Sequence, residues 1–343
     1  MRKLWLSSFL IVSLVPCGSL YSRVSPIDQA HTDFSRSILT LSNWLDSFFG
    51  DVKSLEDKNG TNLRIYTLSL KKEREELNNE INFKFQINLP NLKKRLNFTL
   101  EKSSAKSKEE FTATKETNAD PAATQNSDVK AGLSYFLFDK DEYNIKLSSG
   151  IRLRWPPYPY ANLRFSHNVP IGKLKISHIA NSFWELNNCN SKKYRVCYGE
   201  ILTQDFDYAF SRKAVVRWTN NAIWNFKMNS FSLEIGPSFY YIFSKRRAAS
   251  LNLRSHFNDT ELFSLKSHTL STNYRQRFHK DWLFGEIGIF STLQRAYHWR
   301  DDWGVVLKLE AILPGENWPV NNFPRQRFQR KSTDLFQISK LLK

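Results

Sequence analysis

The fold is decided by the stretch Tyr143-Asn144-Ile145-Lys146-Leu147-Ser148-Ser149-Gly150-Ile151-Arg152-Leu153-Arg154-Trp155 and by others like it. Its odd-numbered residues are mostly apolar, and most of its even-numbered residues are polar or charged. A period of two places these two sets on opposite faces of a β-strand. Because the alternation recurs from about residue 63 to residue 313, it predicts a closed antiparallel sheet with an apolar exterior and a polar interior, which is typical of a bacterial outer-membrane barrel.

The predicted fold class is therefore all-β. We expect a transmembrane, antiparallel, up-and-down β-barrel over residues 61–313 with about 14 strands, or 12 as the alternative, because bacterial single-chain barrels have even strand counts. A short N-terminal amphipathic helix is expected before the barrel. The predicted strands are 63–70, 81–89, 95–102, 129–138, 143–155, 161–169, 173–184, 200–210, 214–224, 231–243, 248–256, 265–278, 282–293 and 303–313.

The gaps between these strands alternate between tight turns and longer loops, as expected for periplasmic turns and external loops. The longest gap, 103–128, is rich in Lys, Glu, Thr, Ala and Ser, and this composition predicts a disordered external loop. Aromatic residues gather near the strand ends, as they do at a membrane boundary. The outer set is Trp155, Trp184, Trp218, Trp224, Trp299 and Trp303, and the periplasmic set is Phe138, Phe210, Phe243, Phe278 and Trp282.

Composition agrees with a barrel. Hydrophobic residues make up 41% of the chain and aromatic residues 14%, yet the mean hydropathy is −0.49. The two values are compatible when half of each strand faces water. The net charge of +17 would suggest a nucleic-acid partner, but the chain contains no basic helix and no nucleic-acid-binding motif. We therefore expect outer-membrane lipids, lipopolysaccharide and small anionic solutes as partners, and no nucleic acid.

Both ends of the chain differ from the barrel. Residues 1–22 resemble a secretory signal peptide, with a charged start, an apolar run and small residues after it; lipidation at Cys17 is a weaker alternative because Pro16 precedes it. Residues 23–60 predict an amphipathic helix and a linker, and residues 314–343 form a basic C-terminal tail. The helix could plug the pore, lie on the periplasmic membrane surface or pair with another subunit, and a packed periplasmic helix is the default expectation. Its apolar stripe is Phe34, Ile38, Leu41, Leu45, Phe48 and Val52.

Two cysteines, Cys189 and Cys197, remain beyond the signal peptide, and both lie in one loop. Export passes them through an oxidising compartment, which favours a disulfide between them. Zinc is the less favoured alternative, because no histidine lies in that loop to complete a set of ligands. We expect no metal site and no cofactor elsewhere, because the histidines are scattered singly.

The polar strand faces supply a charged lumen in which cations outnumber anions. The lumen bases are Lys146, Arg152, Arg154, Arg164, Arg217, Arg254, Arg275 and Arg277, with Lys84, Arg95, Lys130, Lys173, Lys175 and Lys308 on the same face. The lumen acids are Asp205, Asp207, Glu234, Glu286 and Glu310, with Glu101. Two interpretations follow: a narrow pore that favours anions, or ion-pair ladders that stiffen the barrel. A non-enzymatic pore or a structural envelope component is therefore the leading hypothesis.

An enzyme is the first alternative. Ser177 and His178 are the nearest candidates for a lipid hydrolase, but neighbouring residues of a strand point to opposite faces, and a hydrolase needs its nucleophile and base together. We therefore predict that the protein is not an enzyme. A surface-binding barrel that acts through its external loops is the other alternative.

Three segments carry a family resemblance. They are Phe48-Phe49-Gly50-Asp51, Ile151-Arg152-Leu153-Arg154-Trp155-Pro156-Pro157-Tyr158-Pro159-Tyr160-Ala161-Asn162-Leu163-Arg164-Phe165 and Tyr274-Arg275-Gln276-Arg277-Phe278-His279-Lys280-Asp281-Trp282-Leu283-Phe284. With them the chain resembles an uncharacterised outer-membrane β-barrel family of Gram-negative bacteria. The resemblance covers most of the mature chain and implies the fold and the location, but it brings no functional residue. The tail after residue 313 departs from the many outer-membrane barrels that end with an aromatic residue on the last strand.

Overall fold

The computed structural model describes residues 41, 42, 44, 45, 48 and 49, and then 61–89, 96–103, 128–140, 142–153, 157–186, 196–226, 229–258, 263–279 and 282–314. The predicted signal peptide lies outside these residues. So do positions 104–127 of the predicted disordered loop and positions 315–343 of the basic tail.

The described chain forms a closed barrel of fourteen strands, which confirms the predicted fold class and strand count. Each strand pairs antiparallel with its neighbours in sequence, and the last strand pairs with the first, with Asn62 opposite Pro314. The strands are β1 Asn62–Lys72, β2 Asn78–Leu89, β3 Leu96–Ser103, β4 Asp128–Asp139, β5 Tyr143–Arg152, β6 Tyr158–Ile171, β7 Leu174–Leu186, β8 Val196–Ala209, β9 Ala214–Asn225, β10 Ser230–Ser244, β11 Arg247–Asn258, β12 Ser264–His279, β13 Leu283–Gln294 and β14 Arg300–Pro314. A single turn of 3-10 helix, Arg295–Tyr297, precedes β14.

Burial alternates along the strands, as the period of two requires. In β8, Leu202 is 50% exposed, whereas its neighbours on the other face, such as Asp205 and Asp207, are buried. Every strand except β3 turns at least one exposed large apolar residue outward, and the outward residues Leu96, Phe98 and Leu100 of β3 are half-buried. A continuous apolar surface of this extent is stable only when lipid covers it. The polar residues therefore form the interior of the barrel and the apolar residues its exterior, which is the reverse of the arrangement in a soluble protein.

The first and last strand ends and the short turns lie at one end of the barrel, which is the periplasmic end in barrels of this kind. The intervals between strands at that end are 90–95, 140–142, 172–173, 210–213, 245–246 and 280–282. At the outer end, the gaps 104–127 and 187–195 are long. The predicted contrast in length is otherwise weak, because 73–77 is shorter than the turn 90–95 and 226–229 equals the turn 210–213. Backbone pairing continues past the point where the apolar alternation stops, so several strands are longer than predicted.

Glycines and aromatic residues fix part of the strand packing. The Tyr160 ring on β6 lies over Gly132 on β4 and Gly150 on β5, where a Cβ atom at either glycine would overlap neighbouring atoms. The large side chain of one strand thus fills the space that two neighbouring strands leave open. The aromatic belts are mostly as expected, with Phe138, Phe210, Phe243 and Phe278 exposed at the periplasmic end. Trp218 is the exception, because it faces lipid in the periplasmic half of β9 and not near the outer end.

Candidate functional site in the barrel lumen

The interior of the barrel is charged. Among the described residues, eleven buried cations face the lumen against six buried acids. The cations are Arg64, Lys72, Lys84, Lys146, Arg152, Arg164, Lys175, Arg217, Arg254, Arg275 and Lys308, and the acids are Glu185, Asp205, Asp207, Glu286, Asp302 and Glu310. Such a density of buried charge is stable only where each charge meets an opposite charge, a hydrogen-bond partner or water.

The two signs are distributed unevenly around the barrel. On the inward face of β2–β6, which we call the cationic wall, the buried charged residues of the described chain are Lys84, Lys146, Arg152 and Arg164, all cations. On the inward face of β7–β14 and β1, which we call the paired wall, seven buried cations face all six buried acids. The two walls therefore differ in net charge, although the sequence alternates in the same way along both.

Glu310 is the centre of the largest ion-pair network on the paired wall. It accepts a hydrogen bond from Arg275 Nη2 at 2.5 Å and another from Arg64 Nε, and Lys308 Nζ lies 3.7 Å away. Arg275 also donates to Glu286 Oε2 at 2.9 Å. The Arg64 contact crosses the seam between β1 and β14, where the barrel closes. This network joins the two ends of the sheet.

A second network lies on β7 to β9. Arg217 binds Asp207 with two nitrogens, Nε at 2.6 Å and Nη2 at 2.9 Å, which is the strong bidentate geometry. Ser42 donates to the same carboxylate, and Lys175 Nζ donates to Ser42 Oγ at 3.1 Å. These contacts hold a residue from outside the barrel sequence against the lumen wall.

Arg254 shows how far the paired wall satisfies its charges. Its Nη1 donates to the Gly236 carbonyl at 2.7 Å and to the Pro237 carbonyl at 2.9 Å, and its Nη2 donates to Ser238 Oγ at 2.7 Å. Glu234 lies 4.0 Å from its Nε. The guanidinium group is thus surrounded by acceptors of its own wall.

The cationic wall combines both arrangements: Lys84 of β2 stands opposite Glu101 of β3 and forms an ion pair with it at 3.6 Å, whereas like charges oppose one another on β4 to β6. Lys146 on β5 faces Arg164 on β6, and Lys130 on β4 faces Arg152 on β5. Like charges in directly opposed positions destabilise a sheet. Arg152 is relieved by an ion pair with Glu185 of β7 at 2.5 Å. Among the described residues, the buried charges of this wall are all positive, and its inward acids, Glu80 and Glu101, are half-buried.

Neutral polar groups line the cationic wall between the charges. Ser134 and Ser148 form a hydrogen bond of 2.8 Å across β4 and β5. Buried amide atoms of Asn97 and Asn162 make no hydrogen bond within the described residues. Buried amide groups of this kind are normally satisfied by water or by a bound solute. Asn181, Asn221 and Asn252 of the paired wall have such atoms as well, so groups that can bind water line both walls.

Six residues of the predicted N-terminal helix are described. They are 41, 42, 44, 45, 48 and 49, and all six are helical. Leu41, Leu45 and Phe48 are buried in one apolar cluster at the periplasmic end of the lumen. The barrel residues of that cluster are Ala209, Val215, Tyr240, Ile242, Ala248, Phe284 and Ile312, all on the paired wall. The described helical residues thus pack against the inward face of the paired wall, and which of the three roles the helix has stays a prediction.

Two smaller apolar clusters lie toward the outer end of the lumen. One joins Leu68 and Leu70 of β1 to Phe290 and Val306. The other, on β7 to β9, joins Phe183, Ile201 and Ile223. Buried charges continue beyond them toward the outer end, at Lys72, Asp302 and Glu185.

The structure places most of the predicted lumen residues on the inward face. Lys146, Arg152, Arg164, Arg217, Arg254, Arg275, Asp205, Asp207, Glu286 and Glu310 are buried there, and Glu234 and Arg277 are half-buried. Arg277 lies over the ring of Phe48 at 6.0 Å. Lys173 was predicted wrongly, because it lies exposed in the turn 172–173. Arg95 and Arg154 lie outside the described residues.

Sequence analysis missed several lumen residues. Arg64 was overlooked because the inward face of β1 also carries Leu68 and Leu70, so the apolar and polar sets of that strand are mixed. Ser42 gave no signal at all, since its role depends on a distant carboxylate. Cys197 is buried and disulfide-bonded, and Cys189 lies outside the described residues.

The hydrolase candidates do not converge. Ser177 faces the lumen and donates to Asn168 Oδ1 at 2.8 Å, whereas His178 faces lipid and contacts Gln204. Among the described residues, no group of three or more His, Cys, Asp or Glu side chains is placed to hold a metal ion. The helical residues of the described chain include no segment that is both long and apolar enough to span a membrane.

No family model matches the chain, and no curated protein is similar to it in sequence. Solved structures resemble it in fold. OmpT of Vibrio cholerae, an outer membrane protein, is 7% identical, with 75% of this chain and 98% of that chain covered and a TM-score of 0.44. OprB of Pseudomonas putida is 8% identical, with 77% and 97% covered and a TM-score of 0.46. The outer membrane channel DcaP of Acinetobacter baumannii is 8% identical, with 74% and 96% covered and a TM-score of 0.43.

The assignment of the chain rests on its own strand pairing and surface. Fourteen antiparallel strands close without an edge, their outward face is apolar, and their inward face is charged. Only a closed barrel lets strands cross a bilayer, because lipid cannot satisfy an open edge. The chain is therefore a β-barrel protein of the bacterial outer membrane.

Proposed function

We propose that the protein is a non-enzymatic, narrow pore for small anions. The observation that carries the proposal is the cationic wall, where Lys146 stands opposite Arg164 and Lys130 opposite Arg152 while all six buried acids of the described residues lie on β7, β8, β13 and β14. A barrel stiffened only by ion pairs would gain nothing from opposing like charges. An anion that passes beside them is attracted by their combined positive charge.

The surroundings of that wall strengthen its effect on anions. Fixed positive charge in a narrow tube with a low-dielectric wall raises the local concentration of anions. Amide and hydroxyl groups such as those of Asn162 and Ser148 can replace part of the hydration shell of a passing ion. A small anionic solute therefore fits this wall better than a neutral one.

The helical residues favour a path along the same side. Leu41, Leu45 and Phe48 occupy the periplasmic end of the lumen against the paired wall. None of the barrel residues of that cluster lies on β2–β6, so among the described residues the cationic wall is the side on which we place the route. This arrangement also explains why the pore would be narrow, since a barrel of fourteen strands has an intermediate bore that a helix partly fills.

The placement of Ser177 and His178 supports a non-enzymatic function. A nucleophile and its base must lie within hydrogen-bonding reach. Here the serine hydroxyl is in the lumen and the imidazole is in the lipid-facing wall. In this proposal, the lipids surround the barrel but are not its substrates.

The decisive experiment measures ion selectivity in planar bilayers. We expect the full-length protein to conduct and its reversal potential in a KCl gradient to show chloride preferred over potassium. The double variant Lys146→Gln/Arg164→Gln should lower the chloride preference at least about twofold, because two of the four buried cations of the wall are gone. Well-folded protein that does not conduct, or that prefers potassium, would refute the proposal.

A matched control removes the same charge outside the lumen. Lys213→Gln/Arg246→Gln changes one lysine and one arginine in exposed periplasmic turns. Its selectivity should equal that of the unchanged protein. An equal fall in both variants would show that overall charge, and not the cationic wall, sets the preference.

A second variant tests the helical residues. Leu45→Asp/Phe48→Asp places charges in the periplasmic apolar cluster and should release the helix, since buried unpaired charges are costly. We expect higher single-channel conductance with chloride still preferred, and an intact barrel by gel mobility of unboiled samples. Leu45→Met/Phe48→Leu, which keeps the cluster apolar, should retain the low conductance.

A further inference from the structure

A row of polar side chains interrupts the apolar, lipid-facing wall on four neighbouring strands. His167 of β6 stands opposite His178 of β7, which stands opposite Gln204 of β8, which stands opposite Asn220 of β9. All four face outward, because their neighbours in sequence, such as Ser166 and Asn221, are the buried, lumen-facing set. We call these four residues the lateral polar row.

The row lies within the apolar band and not at its edge. The residues of the next row toward the outer end are Phe165, Ala180, Leu202 and Ala222. The residues of the next row toward the periplasm are Val169, Ile176, Phe206 and Trp218. With apolar residues on both sides, the polar groups sit at the depth of lipid chains and not of headgroups.

Hydrogen bonds connect the row. Gln204 Nε2 lies 3.3 Å from His178 Nδ1, and Asn220 Nδ2 donates to Gln204 Oε1 at 3.4 Å. Trp218 Nε1 donates to Asn220 Oδ1 at 2.9 Å. An amide nitrogen carries two N–H groups, and within the described residues Gln204 and Asn220 each use one of them. One N–H of each amide therefore has no acceptor among the described residues.

Polar groups that face hydrocarbon need partners, because lipid chains offer no hydrogen bonds. The row contains imidazoles and amides and no acid, lysine or arginine, so an ionic partner is not indicated. Each of its groups can both donate and accept, which makes the row complementary to a copy of itself. A second copy of the chain also presents the same groups at the same depth.

We propose that the lateral polar row is the contact surface of a homodimer in the plane of the membrane. A two-fold axis along the membrane normal brings row against row, as in an isologous interface. The small residues Ala180 and Ala222 beside the row let two barrel walls approach closely, as small residues do between membrane helices. This inference does not depend on the proposed pore, because the row is on the other face of the sheet.

The test measures self-association of the full chain in vesicles by energy transfer between labelled copies. We expect the unchanged protein to form dimers. In His178→Leu/Gln204→Leu, dimerisation should be at least about tenfold weaker, because the variant removes two polar side chains that would form hydrogen bonds between the copies within the membrane. Thr272→Leu/Ser291→Leu is the matched control on the lipid-facing side of β12 and β13, and its dimerisation should be unchanged. Gel mobility of unboiled samples verifies that each barrel is folded.

A second measurement, cysteine cross-linking, tests the dimer without using the double variant and so does not depend on its folding. Gln204→Cys should form a disulfide between two copies in membranes, because the axis brings equivalent rows together, whereas Leu270→Cys on β12 should not. A protein that is monomeric in vesicles at every protein-to-lipid ratio would overturn the proposal. Dimers that survive His178→Leu/Gln204→Leu, or that form only when zinc ions are added, would overturn it as well.

Discussion

The two walls of the lumen are built from the same alternating strands but treat charge in opposite ways. On the paired wall, Glu310 and Asp207 each bind an arginine at hydrogen-bonding distance. On the cationic wall, Lys146 and Arg164 face one another. Ion pairs therefore dominate the paired wall, whereas the cationic wall combines the pairs Arg152–Glu185 and Lys84–Glu101 with directly opposed cations.

The difference has a physical reason in the cost of buried charge. The two charges of a buried ion pair cancel, so the pair has no net charge that would attract a solute ion. It can still stiffen the wall by linking two strands. Unbalanced buried charge keeps water and counter-ions beside it, so it disfavours a dry, fully packed interior. In the proposed pore, the paired wall would supply stiffness and the cationic wall would attract anions.

The largest expected effect comes from breaking the centre of the paired wall. Glu310→Gln leaves Arg64 and Arg275 without their shared carboxylate, and removing one partner of a buried ion pair costs about 3–5 kcal/mol. Urea unfolding of the protein in vesicles measures this loss of stability. Lys146→Gln on the cationic wall should cost far less, and an equal cost for both would erase the distinction between the walls.

A smaller loss of stability is expected at Gly150 of the cationic wall, where the Tyr160 ring packs closely over the backbone. In Gly150→Ala, the new Cβ would lie 2.9 Å from the Tyr160 hydroxyl and would overlap the Ala131 carbonyl oxygen. Overpacking of this kind costs about 1–3 kcal/mol, which the same unfolding measurement detects. Tyr160→Phe keeps the ring over the glycine and should change stability by less, so a larger effect from Tyr160→Phe would contradict this explanation.

A small gain in stability is expected when one charge of the cationic wall is reversed. Lys146→Glu converts its opposition to Arg164 into an attractive pair, worth about 0.2–1 kcal/mol. The same variant should lose much of its preference for chloride in planar bilayers. Stability and selectivity should therefore change in opposite directions, and a variant that loses both would show that Lys146 is needed for folding.

The smallest effect is expected at the rim. Glu75 is an exposed residue of the loop 73–77, and its carboxylate lies 3.0 Å from Lys72 Nζ. Exposed ion pairs contribute about 0–1 kcal/mol, so Glu75→Gln should leave both the unfolding free energy and the ion selectivity nearly unchanged. If Glu75→Gln lowered the unfolding free energy as much as Glu310→Gln, burial would not determine how much an ion pair contributes to stability.

Much of the architecture could be predicted from local patterns. The period of two in segments such as Tyr143–Arg152 gave the strands and their inward face, because alternation along a strand is a property of the backbone itself. The same rule separated Ser177 from His178. It failed in β1, where Leu68 and Leu70 face inward beside Arg64, and at Lys173, where a turn replaces the strand.

The sequence by itself determined the number of strands, the apolar exterior and the excess of positive charge, since each follows from short-range periodicity or from composition. Only the tertiary structure decided which charges meet. Closing the barrel brings Arg64 to Glu310 across 246 positions of sequence, and packing of the helical residues brings Ser42 to Asp207. Alternation along a strand sends a side chain to the lumen, but the register and curvature of the whole sheet choose its partner there.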